Sequence, residues 1–329
     1  MRHERECKVL VDPRVELASV VQLYAPWNKE RRKIKEYIYL DDVLKVFGRW
    51  KNHEAVRCFM DLFYSGFSYD ALVGLMVHLS DPPLLKVTTE LPKYIIGKAG
   101  SVESLKSFIK SLRDFALKSN FMGFYKNHQC FYENIIMLSN LKDDVQGTIM
   151  LLEDFFQVSV WRYNVVLTPL LEGNYGHYIK TSHGAEVFAF ISPKEIVDGS
   201  PIFRSTTAVI EHEFMHAFVN PITEKFKNNV RKYSYLYKDL QSLSSIGYGN
   251  WETALNEFII RACAIVIGSC YRGLKKEEIT KWLCIEEKRG FKYIKLFYKA
   301  IRGYAKDRYK YGGFQEFYPK ILKILDNLS

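Results

Sequence analysis

The chain has few cysteines, and none of them are spaced to bind a metal together. Its 329 residues include six cysteines, and no two of them form a C-x-x-C pair. Cysteine-based zinc modules commonly take their ligands from such closely spaced pairs, so the sequence gives a cysteine-based zinc site little support. We expect free thiols in a reducing compartment, several of them buried.

Long hydrophobic runs and low-complexity segments are also missing. The first 17 residues contain no apolar run before a small-residue cleavage site, so we predict no signal peptide. The most apolar stretch, residues 263–268, is much shorter than the about 20 residues that cross a bilayer. We therefore expect a soluble, cytoplasmic protein with no membrane partner.

Positive charge is plentiful, and it is concentrated near the end of the chain. The net charge is +10, and residues 271–320 contain 14 Lys or Arg and only 6 Asp or Glu. Such a segment can bind anions or nucleic acid. Acidic residues are interspersed with the basic ones, however, which is typical of the solvated face of amphipathic helices. We therefore do not expect nucleic acid as the partner.

The first 150 residues are predicted to be mainly helical. Hydrophobic residues make up 48% of the chain, which is typical of folded proteins. In this region they recur at three- and four-residue spacing, which favours helices over strands. The predicted helices cover residues 15–24, 41–47, 54–63, 69–79, 102–120 and 134–156.

Strand patterns appear after residue 157. Residues 158–167 and 185–192 are rich in β-branched and aromatic side chains and predict two strands. Gly173, Asn174 and Gly176 indicate a turn between them. The second strand is apolar on both faces. It could lie at a sheet edge and pair with an extended peptide, or it could lie in the interior of the sheet.

Two further helices follow these strands. The first covers residues 205–220, where Ser205, Thr206 and Thr207 offer N-caps and Pro221 is expected to end the helix. The second covers residues 251–269 and is apolar nearly all round, which predicts burial. The fold class is therefore mainly α with a small β-sheet (α+β). We expect a helical region at 1–150 and a catalytic region at 151–329, with a soft boundary that allows one compact unit.

The first of these helices contains an H-E-x-x-H motif, His212-Glu213-Phe214-Met215-His216. Helical positions four apart share a face, so both imidazoles can reach one metal ion at about 2.0–2.1 Å. Glu213 then projects beside the ion, where it can take a proton from a metal-bound water. With eight histidines in the chain, a chance match is expected only about 0.01 times. We therefore predict a metal site rather than two core histidines.

A catalytic zinc site usually has a third protein ligand. No further histidine follows in the H-x-x-G-x-x-H pattern, so we expect a carboxylate from the helix at 251–269. Glu252 and Glu257 lie about 140° apart around that helix, so they are not expected to share one ion. Glu257 lies deeper in the apolar run and is the preferred ligand, with Glu252 in reserve. The alternative for Glu257 is an i,i+4 ion pair with Arg261.

These residues resemble the gluzincin metallopeptidases, in which a glutamate on a second helix, often preceded by asparagine, completes the site. Asn256-Glu257 matches that pattern. The wider chain resembles the DUF4932 family, a zincin-like group, over most of residues 10–270. The segments that carry this resemblance are residues 11–17, 51–56, 163–170, 212–221, 256–257 and 261–262.

The resemblance implies a zincin-like core with one zinc ion per chain on His212, His216 and Glu257. It also implies that Glu213 is the general base. Asn256 and Arg261 are the candidates for residues that support the ligands. The 41-residue gap from His216 to Glu257 is longer than in the short-spacer gluzincins. Where some of those proteins have an aspartate that supports a histidine, this chain has Arg261.

The sequence thus predicts a zinc-dependent metallohydrolase, expected to be a peptidase with a peptide or protein substrate. Tyr248 and His183 are candidates to stabilise the oxyanion, although each could be an ordinary surface residue. The competing hypotheses are a non-catalytic zinc protein and a basic protein that binds nucleic acid or another partner. Glu213 argues against a structural zinc site, because such a site is closed by four ligands and needs no general base.

Overall fold

The computed structural model describes residues 6–25, 37–68, 70–204 and 206–328. The described chain is mostly helical with a small mixed β-sheet, which confirms the predicted α+β class. The chain folds into two compact units. Unit 1 contains residues 1–146 and 160–213, and unit 2 contains residues 147–159 and 214–329.

This division differs from the predicted regions 1–150 and 151–329, because strands from both regions form one sheet. Strand β1 (Glu6–Leu10) pairs in parallel with β2 (Arg162–Leu167). The strands after residue 160 therefore fold with the helices of the first region. Residues 147–159 belong to unit 2, where Tyr304 donates a hydrogen bond to the carbonyl of Phe155 at 2.7 Å.

Helices form most of unit 1, and several begin at residues suited to capping. Asp12 accepts a hydrogen bond from the backbone N–H of Arg14, and Pro13 occupies the first helical position of α1. Ser101 caps α6 in the same way through the N–H of Ser104. The helices are α1 (Pro13–Leu23), α2 (Ile38–Phe47), α3 (Glu54–Tyr64), α4 (Asp70–Val77), α5 (Lys93–Lys98), α6 (Val102–Lys118), α7 (Phe121–Asn127) and α8 (Gln129–Ser139), with a 3-10 turn at Gly48–Trp50.

The sheet of unit 1 has the order β1-β2-β4-β3. It includes β3 (Tyr175–Thr181) and β4 (Gly184–Ile191), and a separate hairpin joins β5 (Glu195–Val197) to β6 (Ser200–Ile202). Strand β4 pairs in parallel with β2 and antiparallel with β3, so both of its backbone edges are occupied. The alternative that residues 185–192 form a peptide-binding edge is therefore wrong. Their apolar pattern on both faces reflects an interior position.

Three other expectations need correction. The predicted helix 134–156 is two helices, α8 and α9 (Lys142–Phe156), because Asn140 adopts a left-handed conformation with φ 49°. Gly176 lies within β3 rather than in a turn. The first predicted strand begins at Arg162 and not at Val158. Tyr69 and Ser205, which were expected to begin or cap helices, lie outside the described residues.

The motif helix α10 (Thr207–Lys225) continues past Pro221, so the expected end at that proline is wrong. A proline removes one backbone donor but does not prevent helical geometry when tertiary contacts hold the next turn. Thr223 provides such contacts. Its buried hydroxyl lies 2.5 Å from Asn256 Oδ1 and 2.7 Å from the hydroxyl of Tyr318.

Unit 2 is built around α12 (Trp251–Tyr271), which Asn250 caps through the N–H of Thr253. Among the described residues this is the one helix whose length and mean hydropathy would allow a membrane crossing, and 67% of its most apolar window is buried inside the protein. A buried core helix gives the same signal. The remaining elements are α11 (Lys227–Arg231), α13 (Lys276–Lys288), α14 (Ile294–Asp307) and α15 (Phe314–Lys323), with 3-10 segments Ser234–Ile246, Arg308–Lys310 and Ile324–Asn327.

Candidate metal centre

Helix α10 carries His212 and His216 one turn apart, as the four-residue spacing predicts. Phe214 and Met215 between them are fully buried and anchor the opposite face of the helix in the core. The two histidines are only partly exposed.

Glu257 on α12 joins these histidines. One ligand atom from each of His212, His216 and Glu257 can be chosen so that all three lie within 4.8 Å of one another. His216 Nε2 lies 3.3 Å from Glu257 Oε1. Two ligands that each bind zinc at about 2.0–2.1 Å in a tetrahedron are about 3.4 Å apart, so this spacing suits a shared ion.

The donor set itself fits zinc. Two imidazole nitrogens and one carboxylate oxygen form one of the three-ligand sets of catalytic zinc sites, which leave a fourth position open. The Glu257 side chain is only 5% exposed. A buried carboxylate needs a strong partner, and a metal ion together with a guanidinium provides one. The residues present therefore fit the ion that the sequence predicted.

The side chain of His216 has an orienting contact on its other ring nitrogen. Nδ1 lies 3.3 Å from Oδ1 of Asn220, one turn further along α10. With Nδ1–H donating to that oxygen, the lone pair of Nε2 points towards Glu257. Metal-binding histidines are commonly oriented by such a bond from the nitrogen that does not bind the metal. The sequence analysis did not identify Asn220, although its i,i+4 spacing from His216 was a usable signal.

The two carboxylate oxygens of Glu257 face different partners. Oε1 faces His216, while Oε2 accepts a hydrogen bond from Nε of Arg261 at 3.0 Å and lies 3.0 Å from Nη2 in an ion pair. The ion pair with Arg261 was considered as the alternative to metal binding. Because a different oxygen serves each partner, the two interactions do not compete.

Arg261 has further partners in unit 2. Nη1 lies 2.9 Å from Oε2 of Glu286, and Nη2 lies 3.1 Å from the hydroxyl of Tyr248. Glu286 also accepts a hydrogen bond from Arg289 at 3.0 Å. The sequence analysis missed Glu286. It lies three residues after Leu283 and seven after Ile279, which places it on the inner face of α13, and that spacing was the available signal.

Tyr248 lies just before α12, in the segment that begins with Gly247, whose φ of 103° favours glycine. Burial and the nearby Glu257 carboxylate raise the pKa of the Tyr248 hydroxyl well above its usual range. The hydroxyl therefore stays protonated at neutral pH. It accepts a hydrogen bond from Arg261 and donates its own proton to the Glu257 carboxylate.

Glu213, the predicted general base, directly follows His212 and is 7% exposed. Asn256, predicted to support the ligands, contacts Thr223 of α10 instead of a histidine. Glu252, the reserve ligand, lies on a more exposed side of α12, 3.7 Å from Arg231, and is not in the three-residue group. His183 is exposed at the turn between β3 and β4 and stacks on Trp161.

The comparisons with known proteins give one match. The DUF4932 family, described as a domain of unknown function, matches residues 7–324. No curated protein and no solved structure matches the chain. Nearly the whole sequence, including all members of the candidate metal centre, lies within the family match.

Proposed function

The chain belongs to the DUF4932 family, and we propose that it is a zinc-dependent hydrolase that cleaves peptide bonds. The grouping of His212, His216 and Glu257, three residues from two helices, is the observation that carries this proposal. It is supported by Glu213, which stands next to the ligands on the same helix but outside the ligand set.

Each residue has a distinct role in the proposed reaction. Bound by the three side chains, zinc would supply a Lewis acid that polarises the scissile carbonyl and acidifies a water molecule. Glu213 accepts the proton of the attacking water and passes it to the leaving amine. Tyr248 turns its hydroxyl proton from Glu257, which accepts it in the free protein, to the developing oxyanion. His183, exposed and stacked on Trp161, has no contact that supports the same role.

A peptide or protein substrate follows from the likeness of this donor set to those of zinc peptidases, and another amide bond would require the same chemistry. We propose that the protein acts in the cytoplasm, which agrees with six cysteines that form no disulfide. A non-catalytic zinc site is less consistent with the residues, because a structural site has four ligands and no adjacent carboxylate base.

Zinc content per chain, measured by elemental mass spectrometry, tests the proposal. Protein purified without chelators should contain about one zinc ion per chain, and His212→Ala should contain almost none. The metal-loaded protein should then cleave members of a peptide library. Metal-free protein that takes up no zinc on titration would refute the proposal, and so would a zinc-loaded protein that hydrolyses no peptide.

A further inference from the structure

Arg261, on the core helix α12, contacts two carboxylates, one hydroxyl and one aromatic ring. Its side chain is only 16% exposed. Its guanidinium contacts Glu257, Glu286 and Tyr248 and packs over the ring of Phe291 at 4.4 Å. A planar fork with several donors can satisfy such a set in one fixed orientation, whereas an ammonium group cannot.

We propose that Arg261 is a positioning residue for the metal centre: it holds Oε2 of Glu257, so that Glu257 offers only Oε1 to the ion. This inference rests on the proposed function. The hydrogen bond from Nε of Arg261 and the ion-pair contact of its Nη2 both meet Oε2, while Oε1 lies 3.3 Å from His216 Nε2. Without that restraint the carboxylate could rotate and bind the ion through both oxygens.

Glu286 makes this arrangement compatible with metal binding. An arginine paired with a ligand carboxylate withdraws negative charge from it and weakens it as a ligand. Here Arg261 is also paired with Glu286, which is buried, and Glu286 is paired in turn with Arg289. The charges alternate from Glu257 to Arg289. The charge of Arg261 is therefore shared with a second carboxylate, and Glu257 keeps more of its own.

The same guanidinium ties Tyr248 to the centre. Nη2 of Arg261 donates to the Tyr248 hydroxyl, and the backbone carbonyl of Tyr248 accepts a hydrogen bond from the Tyr237 hydroxyl at 2.6 Å. Both ends of Tyr248 are thus held. One side chain of α12 therefore orients both the predicted third ligand and the predicted oxyanion donor.

Zinc affinity, measured by competition with a chromogenic chelator, is the first test. Loss of a group that orients a metal ligand typically costs about 10–100-fold in affinity, so we expect a loss of that size for Arg261→Met. Arg261→Lys, which keeps the charge but not the fork, should give a smaller loss. The matched control is Arg302→Met, because Arg302 is exposed on α14, a helix that contributes no residue to this charge network. It should bind zinc like the wild type.

Replacing zinc with cobalt(II) reports how many atoms bind the ion. A purely structural role of Arg261 would not change that number. Four-coordinate cobalt absorbs visible light much more strongly than five-coordinate cobalt. Arg261→Met should therefore show a weaker visible absorption per bound ion, because the released Glu257 binds through both oxygens. Glu286→Gln, which leaves the Arg261 fork on Glu257, should keep the wild-type spectrum. If Arg261→Met does not fold, the same two measurements on Arg261→Lys decide the matter.

The outcomes separate this inference from the proposed function. Wild-type affinity and a wild-type cobalt spectrum in both Arg261 variants would overturn the positioning role and leave the zinc site intact. A wild-type protein that binds neither ion would overturn the proposed function and the positioning role together. Reduced affinity with an altered spectrum in Arg261→Met, and with neither change in Arg302→Met, would support the inference.

Discussion

Two groups of histidines lie inside this protein, and they differ in what each imidazole faces. In the candidate metal centre, Nε2 of His216 faces a carboxylate oxygen of Glu257 at 3.3 Å, and the histidine is partly exposed. In unit 1, Nε2 of His78 faces Nε2 of His177 at 3.0 Å, and both rings are buried. The first group offers two kinds of donor to an ion, whereas the second is already closed on itself.

Each of the four ring nitrogens of His78 and His177 lies within hydrogen-bonding distance of a partner. Nδ1 of His78 lies 2.7 Å from the Thr89 hydroxyl, and Nδ1 of His177 lies 3.0 Å from the Tyr94 hydroxyl. Gly74 packs against the pair, where a Cβ atom would come within 3.3 Å of the His177 ring. Chiefly through burial, the pKa of His78 falls to about 4 and that of His177 to about 3. Histidine alone therefore does not indicate a metal site; its partners and its access to an ion decide.

The largest expected effect concerns Glu213, the proposed general base of the metal centre. No catalytic role is proposed for the His78–His177 pair. Glu213→Gln removes the general base but none of the ligands, so peptide cleavage should fall about 10²–10⁴-fold while the zinc content stays near that of the wild type. Steady-state cleavage assays and elemental analysis on the same sample check both parts. Undiminished cleavage by this variant would contradict the mechanism.

The next effect distinguishes the two glutamates of α12. Glu257→Ala removes the proposed third ligand and should weaken zinc binding by more than the about 10–100-fold that loss of an orienting group costs. Glu252→Ala removes only the contact with Arg231 and should weaken it much less. Chelator competition measures both affinities. The reverse order would reassign the third ligand to Glu252.

The third prediction concerns the pH dependence of unit 1, where two buried groups act in opposite directions. The unfolded chain protonates its histidines below pH 6.5, whereas folded His78 stays neutral until about pH 4, so acidification lowers the free energy of unfolding. Glu16 behaves in the opposite way. Burial raises its pKa from 4.5 to about 7, although the hydrogen bond from Tyr39 lowers the pKa. Folded Glu16 therefore keeps a proton that the unfolded chain loses above pH 4.5.

Glu16→Gln removes the carboxyl group whose proton binding stabilises the folded protein as the pH falls. On acidification from pH 7 to 5, the free energy of unfolding should fall about 2 kcal/mol more in the variant than in the wild type. Urea unfolding at several pH values measures the difference. Glu103→Gln, at an exposed position of α6, is the control and should follow the wild-type curve. Parallel curves for wild type and Glu16→Gln would show that Glu16 is ionised in the folded protein.

The smallest effect concerns the orientation of His216. Asn220→Ala removes the acceptor for its Nδ1–H but leaves all three ligands, so zinc affinity should fall about 10-fold. Asn229→Ala, in α11 of the same unit, is a control that should leave zinc affinity unchanged. If Asn220→Ala binds zinc like the wild type, the contact with Asn220 does not orient His216 for metal binding.

The sequence predicted buried strands and helices better than the edge strands of the sheet. Strand β4 and helix α12 were found because residues buried on all sides form long apolar runs. The edge strands β1 and β3 were not found, since ECKVL and YGHYIKT mix polar residues and glycine with apolar ones. Solvent-facing edges carry such residues. The break at Asn140 was missed because apolar periodicity runs on through both flanking helices.

What the sequence determined by itself is the local part of the site. The spacing of His212 and His216 fixes their common face, because a helix repeats every 3.6 residues whatever surrounds it. Long-range packing decided the rest. Glu257 and Arg261 are four residues apart, yet only the packing of α12 against α10 turns one oxygen of Glu257 towards His216 and leaves the other to Arg261. Glu286 joins them from a third helix, a contact that no local pattern specifies, since it depends on where the chain returns in space.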